Sequence, residues 1–370
     1  MSLLLAALLD PPSIRRLAPT EWDLLVRQAR HANLLGRLHG RLQRAGVEAD
    51  IPERPRNHLL SGAIMAEQQH YSIRREACHL RDALASRDIP LILLKGAAYV
   101  AAGLPAAQGR LFADVDILVP RERLDDAESA LLLTGWHSTV SNAYDQRYYR
   151  RWMHELPAMR HLFRGTSLDV HHTILPPTAR LKPDPRLLIE ASVAIPGLPG
   201  ARTLALEDLI LHSAAHLFHE GEPDNLLRDL TDLDLLLRHL GREEAAWEAL
   251  AERAGRLRLD GPLGLALRYT TRLLDTPVPA RILARFPGAC GGGLRQGVLD
   301  WIYSRMLRPS HPSTADRFTG LARKALYVRS HWLRMPPLLL AYHLAHKALL
   351  PPKPEIVPAM DANGDEKKAA

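Results

Sequence analysis

Apolar positions recur at helical spacing from Leu3 to about Arg87. Trp22, Leu25, Val26 and Ala29 form one stripe, and Leu34, Leu35, Leu38 and Leu42 form a second. Pro19 to Glu21 reads as a helix start, Ile51 to Pro55 as a loop, and Asn57 to Ala85 as one long amphipathic helix. The period then changes. Ile89 to Leu94 is a short continuous apolar run closed by Gly96, which predicts a buried strand turning into a helix near Ala97. Ala113 to Val119 alternates and then turns apolar, and Arg121 to Thr134 returns to helical spacing with Leu124, Ala127, Leu131 and Leu132 before Gly135 ends it. Trp136 to Val140 reads as a strand. Arg160 to Arg164 and Ser167 to Ile174 read as a hairpin turning at Gly165 and Thr166.

Beyond a proline-rich crossing from Leu175 to Gly200 the pattern is helical again, over Leu206 to Leu217, Asp224 to Leu240, Glu243 to Arg256, Gly261 to Leu274 and Leu294 to Leu307. Pro277, Pro279 and Gly291 to Gly293 punctuate it. The expected organisation is α+β: an N-terminal helical segment (1–87), a small mixed-sheet core (88–200), a C-terminal helical domain (201–350) and a disordered tail (351–370).

The candidate chemistry lies in the core. Period-two alternation places Asp114 and Asp116 on one face of their strand and Val115 and Ile117 on the other, so two carboxylates project together while the opposite face packs. Like charges this close call for a cation, and a hard divalent metal with oxygen ligands is the natural occupant. Asp169, on the later strand-like segment Ser167 to Ile174, is a third carboxylate that a neighbouring strand position would bring beside the pair. Three carboxylates and a glycine turn suit phosphoryl transfer with two magnesium ions about 3.5–4 Å apart.

These residues resemble the polymerase-beta-like nucleotidyltransferase superfamily. More closely, Leu94-Lys95-Gly96, Arg110 followed by Asp114-Val115-Asp116-Ile117-Leu118-Val119, and Leu168-Asp169-Val170-His171 resemble a family of uncharacterised bacterial nucleotidyltransferases. The likeness spans Ile89 to Ile174 and continues more weakly to Leu237. It implies transfer of a nucleoside monophosphate from a nucleoside triphosphate to an acceptor hydroxyl, on a small molecule or a protein. Asp114, Asp116 and Asp169 would hold magnesium, Lys95 and Gly96 would cradle the triphosphate, and Arg110 would neutralise developing charge. Two departures stand out: Ala97 follows Gly96 where the superfamily has Ser or Gly, and Asp169 replaces the closer family's Glu.

Other residues carry weaker signals. His171 could orient Asp169 or meet the acceptor, and equally reads as a buried structural histidine. His212, His216 and His219 share a helix stripe, for which hydrogen-bonded helix residues or contacts to the cleft are simpler readings than zinc. Arg228 and Asp232 are spaced for an i,i+4 ion pair, and the resemblance suggests an interdomain or substrate role for that segment. Asn142 to Pro157 interleaves Tyr144, Tyr148, Tyr149 and Trp152 with Arg147, Arg150 and Arg151, which suits base stacking or packing on a sheet edge. Ala322 to Lys353 is basic with no acid, as for a helix docked on the bundle or a weak contact with an acidic membrane surface.

Charge alters this picture little. The 370 residues carry 48 Lys and Arg against 41 Asp and Glu, a net +7, which fits an anionic partner such as a nucleotide without requiring nucleic acid. Cys78 and Cys290 stand far apart and make no metal or disulfide framework, so a cytoplasmic compartment is expected. No run reaches the roughly 18 apolar residues of a transmembrane span. The rival to an active transferase is a catalytically weak or inactive nucleotide-binding or sensor protein of the same fold.

Overall fold

A computed structural model describes residues 2–140, 142–219, 223–286 and 292–341. The tail from 351, Cys290, Gly291, and Lys347 and Lys353 of the basic stretch lie outside these residues. The chain opens with α1 (Leu3–Leu9), α2 (Pro19–His31), α3 (Leu35–Arg44) and the 33-residue α4 (Glu53–Ala85). The start of α2 is fixed as its sequence suggests, by Glu21 accepting the Ala18 N–H at 2.8 Å. α4 begins at Glu53, inside the segment that reads as a loop, because its prolines fall in or before the first turn, where no intrahelical N–H is lost.

Seven short strands follow: β1 (Leu91–Leu93), β2 (Val115–Leu118), β3 (Trp136–Ser138), β4 (Met159–His161), β5 (Ser167–His171), β6 (Val193–Ala194) and β7 (Ala201–Thr203). They form one mixed sheet in the order β3-β4-β5-β2-β1-β7-β6. The expected hairpin is β4 with β5. The proline-rich crossing holds a short helix (Pro185–Glu190) and β6, which pairs with β7, and β7 lies parallel to β1, so the sheet runs past residue 200. Short strands spaced by prolines give little periodic signal, which is why these two went unseen.

Between the strands lie α5 (Lys95–Ala101), α6 (Leu124–Leu133), α7 (Ala143–Trp152) and α8 (Pro185–Glu190). α4, α5 and α6 pack on the sheet through β1, β2 and β3 respectively. The C-terminal half is α9 (Leu206–His219), α10 (Leu226–Leu240), α11 (Glu244–Leu257), α12 (Asp260–Leu274), α13 (Ala280–Arg285), α14 (Leu294–Met306) and α15 (Thr319–Arg334). Leu226, Leu230, Leu233 and Leu237 form the buried stripe of α10, each burial contributing about 2 kcal/mol. The basic helix α15 docks on the bundle, where the Arg329 guanidinium donates to Phe218 O at 2.6 Å, and α15 ends at Arg334 before Pro336. No helix among the described residues is long and apolar enough to cross a membrane.

Backbone contact joins the N-terminal helices to the core. Gly109 has φ +63°, and a Cβ there would fall on the backbone of Gly36 and Arg37. That close approach sets Arg37 against Ala106 O (2.5 Å) and Gln108 O (3.3 Å), at the start of the loop leading into β2.

Candidate active site

The sheet topology assembles the acidic group. β1 runs antiparallel to β2, so the end of β1 meets the start of β2, and the Leu94 N–H donates to Asp116 O at 2.9 Å. β2 runs parallel to β5 with Asp116 opposite Asp169 and Leu118 opposite His171. Side chains opposite one another in register share a face, so Asp116, Asp169 and His171 project together. One donor atom of each lies within 4.8 Å of the others. Asp114 immediately precedes β2 with the same parity.

Lys95 begins α5 with φ 44°, a left-handed conformation costly for a side chain other than glycine, and its Nζ stands 2.9 Å from Asp116 Oδ1. His171 Nε2 donates to the same oxygen at 2.9 Å. Burial alone would raise Asp116, but the Lys95 ammonium and His171 outweigh it and hold the carboxyl well below its ordinary range. Asp114 moves the other way. Burial and then the negative charge of Asp116 push it up, against the pull of Lys95, Arg110 and His171. A cation between these carboxylates would relieve that cost, and oxygen donors suit a hard divalent ion, so the residues present fit magnesium.

Gly96 follows Lys95 under the loop of Arg110 and Phe112, and a Cβ at Gly96 would overlap the Phe112 ring and the Arg110 guanidinium. Arg110 is itself buried, with Nε 2.7 Å from Asp232 Oδ2, Nη2 3.8 Å from Asp229 Oδ1, and its guanidinium carbon 4.8 Å from the centre of the Phe112 ring. Arg37 reaches the other Asp232 oxygen at 2.6 Å. The expected Arg228–Asp232 pair does not form: Arg228 turns to Asp229 at 2.8 Å, because Asp232 is taken by Arg37 and Arg110 from the N-terminal helices and the core.

These elements enclose a cleft of about 140 Å³, lined on the strand side by Lys95, Gly96, Asp114 and Asp116 and on the helix side by His216, Asn225, Arg228 and Asp229. Arg110 and Phe112 lie between. Of the sequence-predicted residues, Lys95, Gly96, Arg110, Asp114, Asp116, His216 and Arg228 therefore meet in one cavity, with Asp169 and His171 beside it. His212 is buried, and burial and then the charge of Lys95 keep its imidazole far below the ordinary histidine range. Among the described residues, the groups within joint reach of a metal are Asp116–Asp169–His171 and His154–Glu155–His171, and the α9 histidines form no third.

The aromatic segment is helix α7. Burial, followed by the charges of Glu155, Asp169 and Asp145, raises the Tyr149 phenol, which puts that ring near the acidic group. Arg37, Asp229 and Glu155 were missed by sequence reasoning. Each is a charged residue on a helix or loop whose local pattern does not separate it from a solvated one.

A mixed sheet sets register-matched carboxylates on parallel neighbouring strands, and C-terminal helices face them across a cleft lined by both signs of charge. Residues 18–275 match the family described as uncharacterised nucleotidyltransferase, and the chain belongs to it. No curated protein matches the chain. Among solved structures, the solution structure of the antibiotic-resistance factor ANT(2'')-Ia aligns at 18% identity over 50% of this chain and 96% of its own, with a TM-score of 0.34.

Proposed function

We propose that the cleft transfers a nucleoside monophosphate from a nucleoside triphosphate to an acceptor hydroxyl, on a small molecule or a protein, releasing pyrophosphate. The observation that carries this reading is the register of β2 against β5, which sets Asp116 and Asp169 side by side at a cleft whose far wall bears Arg228 and His216. Asp114, Asp116 and Asp169 are the residues to hold two magnesium ions. Bound there, magnesium would neutralise the phosphates and activate the acceptor oxygen. Lys95 and the backbone at Gly96 receive the triphosphate, and Arg228 adds positive charge from the helix side. Arg110, held by Asp232 and Asp229, positions the loop that leads through Asp114 into β2, and its buried charge favours phosphate in the cleft. Asp169, the more exposed of the paired carboxylates, is placed to take the acceptor proton.

A specific observation favours a second reading, nucleotide binding without efficient transfer. Lys95 already neutralises Asp116, and Ala97 brings no hydroxyl to the phosphate turn. The test is titration with labelled ATP, GTP, CTP and UTP, with and without magnesium, for wild type and an Asp114→Asn/Asp116→Asn variant, with pyrophosphate release followed in host lysate. Magnesium-dependent binding and release, both lost in the variant, support transfer. Binding without release favours the sensor, and no magnesium-dependent binding overturns both readings.

A further inference from the structure

The acidic group has a neighbour that transfer chemistry does not use. The segment carrying His154 and Glu155 runs back along β5: the Leu156 N–H donates to Val170 O and the His172 N–H to His154 O, each at 2.9 Å. Glu155 and His171 form an antiparallel bridge, so backbone pairing holds their side chains side by side. Glu155 Oε2 lies 3.4 Å from His171 Nδ1 and 3.8 Å from His154 Nε2, and the two imidazole rings are 5.1 Å apart. All three donor atoms fall within 4.8 Å of one another.

We propose that His154, Glu155 and His171 form a second metal site, selective for zinc or a similar divalent transition ion and distinct from the acidic magnesium group. The donor chemistry points there: two imidazole nitrogens and one carboxylate suit zinc, whereas magnesium takes oxygen. The geometry of His171 points there too. Its Nε2 lies 2.9 Å from Asp116 Oδ1, so the other ring nitrogen, Nδ1, faces Glu155 at 3.4 Å. A metal-bound imidazole whose other nitrogen donates to a carboxylate is the arrangement that fixes ligand tautomer and ring orientation. His154 and His171 are 4% and 1% exposed, while the Glu155 side chain keeps 18%, so the two imidazoles are held within the fold and the carboxylate stands at its edge. His171 would join the two sites, so zinc on Nδ1 would lock the imidazole that orients Asp116. The site rests on its own donors and stands whether or not the cleft transfers nucleotides.

The experiment uses the full-length protein, stripped with a chelator and reloaded. Wild type should take up about one zinc per chain, and cobalt in its place should give visible absorption bands of a four- or five-coordinate ion. His154→Ala and the near-isosteric Glu155→Gln should each weaken zinc binding by on the order of tenfold or more, while Asp169→Asn keeps it. Circular dichroism checks that each variant folds. Failure of wild type to bind stoichiometric zinc at micromolar free metal would overturn the proposal. So would wild-type affinity in both folded variants, since zinc would then sit elsewhere, for example on the α9 histidines.

Discussion

Two clusters of buried charge meet at the cleft, and they are balanced in opposite senses. On the helix side, Arg37, Arg110 and Arg228 interlock with Asp229 and Asp232, three guanidiniums against two carboxylates, through contacts of 2.6 to 3.8 Å. On the strand side, Asp114, Asp116 and Asp169 have Lys95 and His171 as close cationic or donor neighbours. The first cluster nearly closes on itself and ties α3, the loop before β2 and α10 together. The second is left short of positive charge, and Asp114 bears the cost as a raised carboxyl. A surplus of cations beside a surplus of anions suits a ligand with both signs, as a magnesium nucleotide has.

If that contrast is right, the largest effect on reaction comes from the open cluster and the largest effect on folding from the closed one. Asp169→Asn should cut transfer by roughly two to three orders of magnitude in a pyrophosphate-release assay while changing the urea midpoint little, since Asp169 is only half-buried. Asp232→Ala should bear mainly on folding, leaving Arg37 and Arg110 buried without their shared partner and costing about 3–5 kcal/mol in urea denaturation. Equal instability of the two variants would erase the distinction between the clusters.

A smaller effect is read by pH. His172, next to His171, is pushed down to about 4 by burial and then by the charge of Arg121. Its folded value lies below its unfolded value, so between these the unfolded chain binds more protons and stability falls as pH drops from 6.5 towards 4. The loss is about 2 kcal/mol and should flatten in His172→Gln, whereas an unchanged slope would place the titration elsewhere. The smallest effect has the opposite sign. Removing the charge at Asp114 relieves burial and repulsion, so Asp114→Asn should raise the melting temperature of the metal-free protein slightly while weakening magnesium-nucleotide binding. A lowered melting temperature would show that Asp114 is compensated after all.

The local parts of the site were legible in the chain. Apolar runs and period-two alternation placed β1 and β2 within two residues and β5 within three, and put Asp114 with Asp116 on a shared face, because pleat parity depends only on neighbouring residues. The glycine at 96 was read as room for a phosphate, and its packing adds another reason, since the Arg110–Phe112 loop lies where a side chain would go. The aromatic segment read as packing or base stacking is a helix with no fully buried residue.

What only the tertiary structure decided is which of these faces meet. Sequence determined that Asp116 and Asp169 each project from a strand, but their pairing needed β2 and β5 to lie parallel in one register. His171 reaches Asp116 across 55 residues of chain, and Arg110 finds Asp232 across 122. An i,i+4 spacing predicted Arg228 with Asp232, yet burial brought two stronger claimants to that carboxylate from distant segments. Local geometry is set by steric rules within a few residues, whereas the partner of a buried charge is chosen by whichever distant groups the packed core brings within reach.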